Sequence, residues 1–261
     1  VRGTFPDKNA RFLGVVGTRK ATESGKELAR HFGVEIARSG CVVVSGMALG
    51  IDAAAHAGCL DAHGATIAVL GNGLDRLYPR TNEKLGQNIL VNGGALISEY
   101  PPGAPPLPSH FLERNRIVSG LSRAVVIIEA PARSGALATA RYAALQGREV
   151  FVVPGPARHP HFTGSHMLLR NGARLVTNAT DILEDLAYEE PTAVQSIAAE
   201  SESGIEHAIL EVLRTSQRPV PLDALVEATH FLAPEVIRTL SFLTLSNRIE
   251  ERRGGFVVKA R

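Results

Sequence analysis

The sequence predicts an α/β fold, a Rossmann-like, doubly wound and mostly parallel sheet followed by a small C-terminal winged-helix domain. Three observations lead there. From residue 11 to 186, short β-branched runs alternate with amphipathic stretches, the pattern of repeated strand–helix units around a parallel sheet. At 187–204 that pattern gives way to acidic chain holding Glu189, Glu190, Glu200 and Glu202 and no Lys or Arg, which reads as a linker. Beyond it, three apolar periodicities of helical spacing end in a hairpin pattern around Gly254-Gly255. Because 261 residues exceed the usual size of one domain, we expect a Rossmann-like domain at 1–188, a linker at 189–204 and a winged helix at 205–261.

Taken in order, strands are expected at 12–16, 41–45, 66–70, 95–98, 124–129, 149–153 and 174–176. Helices are expected between them at 22–39, 51–61, 83–91, 134–146 and 165–170, with Thr22, Asn82 and Asp181 offering side-chain oxygens as N-caps, Asp181 for a last short helix. The run PPGAPPLP at 101–108 lacks amide donors and reads as a stiff connector. In the C-terminal part, Ile205, Ile209, Leu210 and Leu213 recur at helical spacing. Leu222, Leu225 and Val226 do so after Pro221, and Val236, Ile237, Leu240, Leu243 and Leu245 after Pro234.

Composition excludes several classes. Charged residues at 21% and hydrophobic ones at 44% are ordinary globular values, which argues against a largely disordered chain. No apolar run approaches a bilayer span and no signal peptide is visible, so a soluble, cytoplasmic protein without membrane contact is expected. Cys41 and Cys59 are too few for a metal cluster or a disulfide framework and read as buried thiols. Val1 in place of Met suggests that residues upstream are missing. A net charge of +2 is too mild to establish a polyanion partner, so the distribution of charge must decide.

Chemistry should sit in the strand-to-helix loops, since open α/β sheets bind ligands at the carboxyl ends of their strands. Four such loops are glycine-rich. They hold Gly17-Thr18-Arg19, then Ser45-Gly46 with Gly50 and Asp52, then Asn72-Gly73, and finally Arg133-Ser134-Gly135. Any one glycine is explained by a tight turn; four together at helix starts describe a phosphate-binding rim. The dinucleotide fingerprint G-x-G-x-x-G and the Walker loop are both missing, so no nicotinamide or nucleotide cofactor is expected. No metal-ligand spacing, nucleophile elbow or other catalytic constellation appears. His56 and His63 read as structural, and His159 and His161 as solvated in a Pro-rich loop. At 109–120, Phe111 stands near Arg114 and Arg116, which suits base stacking beside phosphate contacts and equally suits a core aromatic with two ion-paired arginines.

The segments VGTRKATESG (16–25), SGMALGIDAAAH (45–56), AVLGNGLDRLYPRTN (68–82), FLERNRIVSGLS (111–122), SGALATARYA (134–143) and FVVPG (151–155) resemble DNA-processing protein A, the DprA/Smf family. The resemblance runs in order from about residue 12 to 186, and 205–261 looks like that family's winged helix. It implies an extended Rossmann-like domain that binds single-stranded DNA without chemistry, forms a homodimer and helps load the recombinase RecA in natural transformation. Carried over, Arg19 and the backbone of Gly46 with its 46–52 loop match phosphate contacts, and Phe111 a stacking aromatic. Arg114, Asn115 and Arg116 match an RNR signature; Ser134, Gly135 and Thr139 match an SGA-x-x-T-A loop and helix. The departures are Leu49, where many relatives have a basic or aromatic residue, and Leu112, where many have Pro. Relatives often carry a small helical N-terminal domain, for which this chain begins too late.

The apolar cluster Met167, Leu168, Leu169, Leu175 and Ile182 is the expected homodimer surface. The competing reading, a phosphoribohydrolase-like nucleotide enzyme, needs an acidic residue that the loop at 130–139 does not contain. The winged helix holds eight basic residues against seven acidic ones, with Arg238 the sole cation of the expected recognition helix and Arg252 and Arg253 in the wing. We expect it to be an interaction module or a weak auxiliary DNA contact.

Overall fold

The computed structural model of the chain describes residues 1–7, 10–189, 194–216, 218–245, 248–252 and 254–259. Contacts divide it into two units, Val1–Asp185 and Leu186–Arg261. The first is built on strands β1 (Arg2–Gly3), β2 (Phe12–Val16), β3 (Val42–Ser45), β4 (Thr66–Val69), β5 (Ala95–Ile97), β6 (Ala124–Ile127), β7 (Glu149–Val152) and β8 (Arg174–Leu175). Their order across the sheet is β1-β5-β4-β3-β2-β6-β7-β8, parallel except for β1, which pairs antiparallel with β5. The helices are α1 (Glu23–Arg38), α2 (Ile51–Asp61), α3 (Glu83–Val91), α4 (Pro108–Leu121), α5 (Ala136–Leu145), α6 (Thr163–Arg170) and α7 (Ala179–Glu189), the last running across the division.

A parallel sheet flanked by helices buries both faces, so its central strands must be apolar throughout. That is why β3, β4 and β6 are buried at all four positions. β2 lies between β3 and β6, with Leu13 opposite Val43 on one side and Ala124 on the other. From β2 the chain winds one way through β3, β4 and β5, then returns to wind the other way through β6 and β7. The carboxyl ends of β2 and β6 thus form the switch point of the sheet, where a crevice is unavoidable.

Thr22 caps α1 as expected: its Oγ1 accepts from Gly25 N at 3.0 Å and donates to Glu129 Oε2 at 2.8 Å, tying the helix start to the end of β6. α1 and α2 pack closely because Gly58 has no side chain; a Cβ there would fall on the Arg30 carbonyl. Two caps differ from expectation. Asn82 accepts no capping bond, and its amide instead donates to Met47 O at 2.9 Å. α7 begins earlier than expected, with Asn178 Oδ1 accepting from Asp181 N at 3.0 Å while Asp181 reaches back to Thr177 N at 2.7 Å, a reciprocal box. Pro108 belongs to α4 as its first residue, where a missing N–H costs nothing, and the connector ends at Leu107. The strand β1 was invisible because two residues carry no periodicity.

His56 is buried, and its protonation is set by its partners. Thr66 Oγ1 donates to Val43 O at 2.7 Å, so it accepts from His56 Nδ1, 2.8 Å away, and Nε2 is left as an unpartnered lone pair. Burial, and then the Arg114 charge, push the imidazole down to about 3. The unfolded chain, with an ordinary histidine near 6.5, therefore takes up this proton first. Stability should fall as pH drops through 6.5 and keep falling until about 3, by about 2 kcal/mol between pH 6.5 and 5. Denaturant unfolding of the parent and His56→Asn chains at pH 7.5 and 5 tests this; equal pH dependence in both would exclude His56 as its source. Cys41 and Cys59 are buried thiols, and burial raises Cys59 to about 11.

The second unit contains α8 (Val194–Thr215), α9 (Leu222–Thr229), α10 (Ala233–Leu245), β9 (Ile249–Arg252) and β10 (Gly255–Val258). Ile205, Ile209, Leu210, Leu213, Leu225, Val236, Leu240, Leu243 and Ile249 form its core, largely the set the periodicity singles out. β9 and β10 pair antiparallel and Val220 bridges Phe256, which closes a winged helix. The expected linker is not extended chain throughout: 194–204 are helical, and 190–193 lie outside the described residues, as does Arg253 of the wing. No helix among the described residues is long and apolar enough to cross a membrane.

Candidate nucleic-acid interface

A groove of about 590 Å³ opens at the switch point. The loop after β2 supplies Gly17, Thr18, Arg19 and Lys20; the loop after β3 supplies Gly46 and Asp52; α4 supplies Phe111, Leu112, Arg114 and Asn115; and the start of α5 supplies Arg133, Ser134, Gly135 and Thr139. Gly17 is obligatory, since a Cβ there would lie 2.8 Å from Ile51 Cβ and 3.0 Å from Glu129 O. Thr18 N donates to Glu129 O at 2.8 Å, which holds the β2 loop against the end of β6. Asn115 Nδ2 donates to Gly135 O at 3.2 Å and so fixes α4 to the N-terminus of α5, a place that favours anions.

The charges of the groove fall into two groups. Arg19, Lys20 and Arg133 are exposed, and among the described residues none of them is engaged in an ion pair. Arg114 is different, because it is only 3% exposed. It donates to Gly46 O at 2.8 Å and to Val69 O, and it faces Asp52, whose Oδ2 accepts from Gly46 N at 3.1 Å and Ala48 N at 3.4 Å. Burial lowers Arg114 to about 10 against the pull of Asp52, and burial raises Asp52 against the pull of Arg114. The sequence expectation of an exposed phosphate contact at Arg114 is corrected here: its guanidinium is buried and donates to two carbonyls in the field of Asp52, so it shapes the β3 loop from within.

Unlike Arg114, several expected residues lie outside the groove lining. Ser45 is buried and donates to Val15 O at 2.6 Å. Gly50 (φ +81°) starts α2, and a Cβ there would lie 2.9 Å from Arg19 O, so it allows the Arg19 loop to close over it. Asn72 is buried and donates to Gly73 O and Arg76 O, while Gly73 N donates to Ala104 O and anchors the proline connector. Arg116 pairs with Glu99. His161 is not simply solvated: its Nδ1 contacts the buried Glu129. Arg133, expected on the fourth glycine loop, does line the groove, whereas sequence reasoning missed Tyr78 and Lys20. Lys20 flanks a glycine loop and was open to inference; Tyr78 sits in an aperiodic segment that gives no sign of where its ring goes.

Of the apolar cluster at 167–182, Met167 and Leu175 are more than half exposed, and Leu168 and Leu169 pack partly against the core. Ile182 is buried within the unit and offers nothing to a partner.

The family model described as DNA recombination-mediator protein A matches residues 1–187, and that of the DprA winged helix domain matches 190–255. Protein Smf of Escherichia coli (strain K12) is 41% identical over 250 residues, which cover 94% of this chain and 67% of that protein. DNA processing protein DprA of Bacillus subtilis (strain 168) is 43% identical over 186 residues, 69% of this chain and 62% of its own, so the present chain spans about two thirds of such relatives. Among solved structures, DprA of Streptococcus pneumoniae superposes with a TM-score of 0.63 at 41% identity, covering 68% of this chain and 62% of that one. DNA processing protein A of Helicobacter pylori, solved to describe its single-stranded DNA binding mode, gives 0.62 at 33% identity over 69% and 81%. A molybdenum cofactor binding protein of Rippkaea orientalis shares the fold alone, at 18% identity, TM-score 0.52 and coverage of 70% and 98%.

Proposed function

This chain belongs to the DNA recombination-mediator protein A family, and on that premise we propose that it binds single-stranded DNA along the switch-point groove and leaves it chemically unaltered. The observation that carries the reading is the groove itself. Exposed Arg19, Lys20 and Arg133 stand around a helix N-terminus beside the aromatic pair Tyr78 and Phe111, and Asp52 of the same lining and Glu129 at the β2 loop are buried and already hydrogen-bonded. Cations and amides suit phosphates, and aromatic rings suit bases of any sequence. The Helicobacter relative's single-strand binding supports the same assignment. On the family resemblance we further propose that it protects incoming DNA and hands it over to RecA in natural transformation, in the cytoplasm.

A labelled single-stranded oligonucleotide should bind with a dissociation constant well below that of a duplex of equal length, with no release of nucleotide or base after prolonged incubation. Product release would instead favour the nucleotide-processing reading. For the winged helix we propose an auxiliary role, because two of its cations are already committed, Arg248 to Glu206 and Arg252 to Glu250.

We also propose a homodimer through Met167 and Leu175, joined about a two-fold axis. Light scattering at tens of micromolar should give twice the chain mass for the parent and the single mass for a Met167→Glu/Leu175→Glu double variant. A parent of single mass would rule the dimer out.

A further inference from the structure

A buried carboxylate stands at the switch point without lining the groove. Glu129, just beyond β6, is fully buried. Both of its oxygens accept from Thr22 N at 3.2 Å, Oε2 accepts from Thr22 Oγ1 at 2.8 Å, and Oε1 meets His161 Nδ1 from the loop after β7. The carboxylate lies so close to the first turn of α1 that a Cβ at Gly25 would fall on Oε2. Its backbone carbonyl is engaged as well, accepting from Thr18 N at 2.8 Å. Glu129 therefore holds the β2 loop at two points, Thr18 and Thr22, and the residues between them are Arg19, Lys20 and Ala21. Within that span Lys20 N donates to Thr18 Oγ1 at 3.2 Å, and the side chains of Arg19 and Lys20 stay exposed.

A helix N-terminus attracts an anion, and in open α/β sheets the start of the first helix is a usual seat for a ligand's phosphate. Resting on the single-strand reading above, we infer that Glu129 fills that seat from within and acts as a positioning residue, its carboxylate fixing the loop that presents Arg19 and Lys20 to the DNA backbone. The start of α1 is thereby closed to a ligand's phosphate. A carboxylate suits this task because it accepts from several donors at once, and the helix dipole offsets part of the cost of keeping its charge from water. A loop already held in its binding shape loses little freedom when the strand arrives. Through His161 the loop after β7 is tied to the same anchor.

The test is a mutant cycle on the whole chain, read by anisotropy titration with a labelled single-stranded oligonucleotide. Glu129→Gln keeps the size of the side chain but sets an amide N–H₂ where a second acceptor is needed. It should bind roughly 5- to 25-fold more weakly at 0.1 M salt, one to two phosphate contacts at about 0.7 decades each, with a correspondingly smaller salt slope. Added to Arg19→Ala/Lys20→Ala it should cause no further loss, because it acts through those two side chains. Thr22→Val, which cuts the hydroxyl link and leaves the buried carboxylate in place, should weaken binding in the same direction, while Thr22→Ser should bind as the parent does. Undiminished affinity in Glu129→Gln, losses that multiply in the combined variant, or equal affinity of Thr22→Val and Thr22→Ser would each overturn the positioning role while leaving single-strand binding intact. A parent that does not bind the strand removes the single-strand reading and this inference with it.

Discussion

Arg114→Ala should lower the unfolding free energy of the Rossmann-like unit by about 3–5 kcal/mol, the range for removing one partner of a buried charge pair. The guanidinium lies inside the protein, where it satisfies Gly46 O and Val69 O and faces Asp52. Its loss leaves the Asp52 carboxylate facing a cavity, and it frees the β3 loop whose amides Asp52 collects. Arg114→Lys should recover only part of the loss, because both carbonyls accept from Nη1, and an ammonium in its place leaves the position of Nη2, beside Gly46 and Asp52, unfilled. Denaturant unfolding measures the effect directly. An unchanged midpoint in Arg114→Ala would mean that the guanidinium is a surface group after all, as the sequence alone suggested.

The second large effect is on binding. Replacing Arg19, Lys20 and Arg133 together by Ala should weaken single-strand affinity by about 100-fold at 0.1 M salt, three phosphate contacts at roughly 0.7 decades each, with the loss vanishing toward 1 M. Stability should change little, because all three side chains are exposed and unpaired in the sense given above. Affinity within a factor of three of the parent at 0.1 M would place the DNA elsewhere.

How much of this was legible in the sequence depended on whether a residue's role followed from its neighbours in the chain. The β2, β3, β4 and β6 strands were, because burial on both faces leaves uninterrupted apolar runs. The glycine loops were legible as a set, and Gly17, Gly46 and Gly135 do come together. Arg114 and Arg116 could not be told apart, since both are arginines two positions apart on one helix. Only the tertiary structure sends one inward to the Val69 carbonyl and the other outward to Glu99. Asn82 and Asp181 looked alike as caps for the same reason, yet one serves the β3 loop and the other a turn at Thr177. Ile182 and Leu175 are both apolar near the end of the sheet, yet Ile182 is turned inward on α7 while Leu175 stands exposed on the edge strand β8, a difference that neither short run of sequence fixes.

The central claim, a groove that holds single-stranded DNA by its phosphates with bases laid on an aromatic platform, is tested most directly by the salt dependence of affinity. Titration of the whole chain with a single-stranded oligonucleotide between 0.05 and 0.5 M salt should give a linear fall of log affinity with log salt, and the triple Arg19, Lys20 and Arg133 variant should show a slope smaller by about 2. Identical slopes in the parent and the triple variant would contradict it.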